Sequence, residues 1–185
     1  MNTRRIMILL IVILLSSTQL LMSGASFATV ETKTLDGADF TFPDDALKTQ
    51  ITLFALALGT SRASGEMQQG HLLQWQRLLE SDGGSLGKIP IYHFPVLDVP
   101  RFIQGVVRRG IAKSYDELVP PDQGAILFLK QADEFASQAG IPIDDQATLA
   151  VVRSDRSIVG FVKGPPTTAT YTELKSLLAT EESKP

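Results

Sequence analysis

Residues 51–58 read Ile-Thr-Leu-Phe-Ala-Leu-Ala-Leu and stop at Gly59. The run is shorter than an ordinary helix and apolar on both alternating faces, so it predicts a strand buried on both sides. Residues 66–79 follow with Leu72, Trp75 and Leu79 at helical spacing, leaving Gln68, Gln69, Gln74, Gln76 and Arg77 for the opposite face. A second apolar strand covers 89–97 and a second amphipathic helix 101–111. In that helix Phe102, Ile103, Val106, Val107 and Ile111 oppose Arg101, Gln104, Arg108 and Arg109, interrupted by Gly105 and Gly110. Strand, helix, strand, helix in this order implies parallel pairing through right-handed crossovers, hence an α/β layering.

The flanks add antiparallel pieces. Residues 32–35 and 39–42 alternate polar and apolar around Asp36-Gly37, which predicts a short hairpin ended by Pro43-Asp44-Asp45. After the break at Pro120-Pro121-Asp122, a small strand is expected at 125–129 and a helix at 133–139, stopped by Gly140. Strands at 148–153 and 157–163 are separated by Ser154-Asp155-Arg156 alone and must form a hairpin. The last helix carries Tyr171, Leu174 and Leu178 on one face, and Thr170 with Glu173 has the spacing of a capping box.

The chain opens with Arg4 and Arg5, an apolar stretch over 6–15, a polar break at 16–19 and a second apolar group ending at Met22. Small residues at Ser26 and Ala28 complete the pattern of a secretory leader cut after Ala28. The alternative is an uncleaved anchor, since 6–22 is about 17 residues, the lower edge of what spans a bilayer. Either reading puts the remainder outside the cytoplasm, periplasmic, secreted or held at the inner membrane. One domain over 29–180 with a polar tail at 181–185 is expected, large enough to be held by packing without disulfides. A net charge of -3 gives no general attraction to nucleic acid. His71 and His93 are the only imidazoles and no carboxylates cluster beside them in sequence, so neither a metal site nor a cofactor is expected.

The chain has no cysteine. This matters because its layout resembles the thioredoxin-like class. The resemblance is carried by Leu35-Asp36-Gly37 with Phe40 and Pro43, by the strand at 51–58, and by Thr148-Leu149-Ala150-Val151-Val152 continuing from Ile158 to Gly164. It implies a three-layer α/β sandwich with a central mixed sheet, an N-terminal β-hairpin, and a C-terminal antiparallel hairpin plus helix. In redox-active members of that class a cysteine motif stands just after the first central strand, where the helix N-terminus lowers the thiol pKa. Here that place holds Ser61-Arg62-Ala63-Ser64, and Ala147 stands where the class has a cis-proline. More narrowly, 51–79, the basic Val106-Val107-Arg108-Arg109-Gly110-Ile111 and the hairpin at 155–164 resemble the family of the mitochondrial ATP synthase assembly factor and its bacterial relatives. That resemblance implies a role in membrane-complex assembly and no reaction.

A serine hydroxyl is inert without a base and an oxyanion hole, so Ser64 is expected to cap the following helix, and no catalytic residue is assigned. The histidines are expected at the edge of the core, and Trp75 inside it. Thr60, Arg62, Arg101, Arg108, Arg109 and Lys113 are the candidate partner-binding residues, the last four concentrating positive charge on one helix. The function expected is a redox-inactive exported protein that binds another protein, as an assembly factor or chaperone. The alternatives are a degenerate peroxiredoxin or thiol oxidoreductase relative that keeps substrate binding, and a small-ligand carrier.

Overall fold

The computed structural model describes residues 25–115 and 118–182, so the leader pattern up to residue 24 and the end of the polar tail lie outside the described residues. Strands β1 (Val30–Lys33) and β2 (Asp39–Phe42) form a separate antiparallel hairpin. It turns at Asp36-Gly37, where Gly37 takes φ 96°, a conformation that glycine adopts without steric cost. The main sheet contains β3 (Ile51–Ala57), β4 (Ile91–Leu97), β5 (Leu127–Phe128), β6 (Thr148–Arg153) and β7 (Ile158–Lys163). Its order is β5-β4-β3-β6-β7. As expected, β3 and β4 are parallel neighbours and β6 and β7 antiparallel ones. Beyond them, β4 pairs parallel to β5 and β3 antiparallel to β6.

Among the described residues four α-helices complete the fold: α1 (Arg62–Ser81), α2 (Arg101–Tyr115), α3 (Ala132–Gln138) and α4 (Thr168–Glu182). Because side chains alternate along a strand, β3 sends Leu53, Ala55 and Ala57 to one face of the sheet and Phe54 and Leu56 to the other. The first face is closed by Leu72, Trp75 and Leu79 of α1 with Leu174 and Leu178 of α4. The second is closed by Phe40 and Phe42 of the hairpin, Phe135 of α3, and Phe27. Phe27 therefore belongs to the core although it precedes the cut after Ala28 that the sequence suggests.

Four local expectations are revised. The cap of α1 is Ser61, whose Oγ accepts the Ser64 N–H at 3.2 Å, so the helix begins before residue 66. Gln68 and Gln76, assigned from the sequence to the outer face, are buried because each has polar partners inside. The box that starts α4 lies one turn before Thr170. Thr167 Oγ1 accepts the Thr170 N–H at 3.2 Å, while Thr170 Oγ1 accepts the Thr167 N–H at 2.8 Å. Finally, α2 does not lay its apolar stripe on the sheet. Tyr115 is its one fully buried residue, and Phe102 and Val106 are 85% and 62% exposed.

Candidate functional site

Strand β3 ends at Ala57 beside Pro95 of the parallel β4, which runs on to Leu97, and a groove of about 920 Å³ opens beyond them. Crevices at the carboxyl ends of parallel strands are the usual ligand sites of α/β sheets. One wall is the first turns of α1, with Arg62, Gly65, Glu66 and Gln69. The other is α2, with Val106, Val107, Gly110, Ile111 and Ser114. Pro95, Val96 and the loop through Asp98 and Val99 form the floor.

The turn from β3 into α1 is tightly built. A Cβ on Gly59 would come within 2.5 Å of the Gly65 nitrogen, so only glycine lets the strand end approach the helix this closely. Gln68 ties three segments together: its Oε1 accepts the Leu58 N–H at 2.8 Å, and its Nε2 donates to Ser64 Oγ at 3.2 Å and to the Asp144 carbonyl at 2.8 Å. Asp145 takes the Thr60 hydroxyl at 2.9 Å, and hydrogen bonds from the Ser64 and Thr60 hydroxyls hold its carboxyl below the usual aspartate range. Ala147 is buried immediately before β6, and its carbonyl accepts the Gly164 N–H at 2.8 Å. The segment that carries Ala147 thus lies beside the first turn of α1. Neither Gln68 nor Asp145 was singled out from the sequence, and only their tertiary partners distinguish them from surface residues.

The hydroxyls here anchor loops. Ser61 is spent on the helix N-terminus and Ser64 on Gln68 and Asp145. No hydrogen bond joins either histidine to these serines among the described residues. His93 is wholly buried in β4, its Nε2 paired with Gln76 Oε1 at 3.0 Å and its ring edge-on to Tyr115 at 5.4 Å. Burial pushes its pKa down to about 3 and raises that of Tyr115, so both are neutral. His93 is thus inside the core, not at its edge.

The candidate cations separate. Arg62 is exposed at the groove lip and pairs with Glu66 at 2.7 Å, a solvated contact of little energetic weight. Arg108 turns inward, its guanidinium 5.7 Å from the centre of the Phe128 ring on the edge strand. Arg101, Arg109 and Lys113 stay exposed. At 100° per residue, Phe102, Val106, Arg109 and Lys113 form one outward stripe, apolar in the first half of α2 and cationic in the second. The helix that reads as a basic face over an apolar one is rotated, so its exposed face mixes both.

No protein-family model matches the chain, and no curated protein matches it in sequence. Solved structures do. Yeast Sco1 aligns with TM-score 0.57 at 10% identity, over 88% of this chain and 98% of the other. BsSco, described as a member of the Sco family of cytochrome c oxidase assembly proteins, aligns with TM-score 0.54 at 12% identity, over 88% and 96%. Copper-bound ScoI of Bradyrhizobium japonicum aligns with TM-score 0.53 at 14% identity, over 83% and 99%. The fold is thioredoxin-like. The narrower likeness to the ATP synthase assembly factor family finds no support in these neighbours.

Copper does not fit the residues present. Its soft thiolate ligands are missing because the chain has no cysteine, and no group of three His, Cys, Asp or Glu side chains converges among the described residues. At the strand ends stand Thr60 and Ser61, hard neutral oxygens, while His93 is enclosed against Gln76.

Proposed function

We propose that this protein is a thioredoxin-like domain without thiol chemistry that holds an extended apolar segment of another protein between α1 and α2. The observation that carries the reading is the outward stripe of α2. Phe102 and Val106 stand in solvent beside a groove lined by Val106, Val107 and Ile111. A small molecule inside the groove would leave Phe102 wet, whereas a polypeptide running along α2 covers both residues. Arg109 and Lys113, next along the stripe, favour carboxylates on that segment. Service in membrane-complex assembly accords with the fold shared with BsSco, whose family is described as cytochrome c oxidase assembly proteins. Export follows from the leader pattern. The domain carries out no thiol-disulfide exchange and no thiol-dependent peroxide reduction, because both need a thiolate.

The test uses two synthetic peptides that share an apolar run, one ending in Asp-Glu and one in Lys-Lys, titrated against the protein with amide NMR shifts as readout. The acidic peptide is expected to shift Thr60, Val106 and Ile111 and to bind more tightly. Phe102→Glu should abolish the effect, and Arg109→Glu with Lys113→Glu should remove the preference. Equal binding of both peptides, or shifts confined to another face, overturns the reading. Insulin reduction or peroxide consumption that scales with protein through repurification overturns its non-enzymatic part.

A further inference from the structure

Two positions near the leader satisfy the small-residue rule for leader cleavage, the one after Ala28 read from the sequence and a second after Ala25. A cut after Ala28 has Ser26 and Ala28 at the required places, and a cut after Ala25 has Ser23 and Ala25. The fold distinguishes them. Phe27 is 3% exposed, with its ring 5.3 Å from Phe42 and 5.6 Å from both Phe54 and Phe135. Ala28 packs on the same cluster, and Ser26 forms an antiparallel bridge with Ser157, the residue before β7. A cut after Ala28 removes the phenyl ring that packs against Phe42, Phe54 and Phe135 and unpairs the bridge. A cut after Ala25 keeps both, and the new ammonium falls on Ser26, which is exposed and solvated.

We propose that the leader is removed between Ala25 and Ser26, so that the mature domain begins at Ser26 with Phe27 as its first core residue. The step is a hydrolysis by the host's leader peptidase. One water adds across the Ala25–Ser26 peptide bond, Ala25 departs with the carboxylate, and Ser26 keeps the amine. The peptidase meets this bond in the extended, translocating chain, before Ser26 pairs with Ser157. The inference rests on the export part of the proposed function and is independent of the groove.

The experiment expresses the full chain in a bacterium with a general secretion pathway and determines the N-terminus of the protein outside the cytoplasm by intact mass and N-terminal sequencing. A first residue of Ser26 is expected. A first residue of Thr29 overturns the proposal while leaving export intact, a protein outside the cytoplasm that keeps Met1 overturns it in favour of the uncleaved anchor, and a chain found only inside the cytoplasm overturns the export reading with it. Ala25→Arg should leave the unprocessed chain in the membrane, and processing of that variant to Thr29 overturns the assignment. Phe27→Ala should still be cut before Ser26 but melt lower, by on the order of 10 °C, as expected for an emptied aromatic site in a domain of this size. An unchanged melting temperature removes the physical reason for preferring Ala25.

Discussion

Helices α1 and α2 are both crossovers between parallel strands, and both flank the groove, yet they use their apolar residues in opposite ways. In α1, Leu72, Trp75 and Leu79 are buried, Trp75 donates its indole N–H to the Gly164 carbonyl at 3.0 Å, and even the polar Gln68 and Gln76 are drawn inside. In α2 the sharper amphipathic separation yields a single buried residue, Tyr115, while Phe102 is left in solvent. Apolar side chains that contribute nothing to the core of their own chain are available to another. The contrast teaches that one helix holds the fold and the other presents a surface.

That contrast is open to attack at several positions. Trp75→Ala removes the largest fully buried side chain and its hydrogen bond, and is expected to cost about 4 kcal/mol in denaturant unfolding. A loss below about 1 kcal/mol would remove α1 from its structural role. His93, packed between Gln76 of α1 and Tyr115 of α2, tests the seam between the helices. Its folded pKa of about 3 lies below the unfolded value of about 6.5, so between these pH values the unfolded state binds the extra proton and stability falls on acidification. The expected slope is about 1.4 kcal/mol per pH unit for this one group, and His93→Gln should remove that component. Parallel stability curves for the two proteins would show that His93 accepts its proton without unfolding. Ser61→Ala, which deprives α1 of its cap, should cost about 1 kcal/mol, with Arg62→Ala beside it near zero. The smallest effect belongs to Phe102→Ser, expected within about 0.5 kcal/mol of the parent in unfolding. A penalty above about 2 kcal/mol would mean that α2 is packed in solution and the two helices are alike.

What the sequence made legible follows from how much each pattern determines. The run at 51–58 is apolar on both faces, so only a central strand satisfies it, and β3 sits in the middle of the sheet. Ser154-Asp155-Arg156 leaves too little chain for anything but a hairpin, and β6 pairs with β7. A helical stripe shows that a face exists but not what it meets, which is why the orientation of α2 was not readable from Phe102, Val106 and Arg108. Glutamines carry no periodic signal of their own, so burial of Gln68 and Gln76 became visible only with Leu58, Asp144 and His93 as partners. Ser61 and Ser64 are both acceptable caps by residue type. The choice was made by the close approach of Gly59 to Gly65, which starts the helix at once.

The bridge between Ser26 and Ser157 and the ion pair between Arg153 and Glu181 bring both the chain's entry into the domain and the last turn of α4 to the end of the sheet where β3 begins. The groove lies at the other end of β3, about 20 Å away at the ordinary rise of a strand. The molecule therefore has two natural handles on one pole and the groove on the other. Grafted to a bead, a sensor chip or a bilayer by either handle, the domain stands with its groove turned outward. A peptide added from solution, as the proposed function requires, then meets α2 before it meets the support.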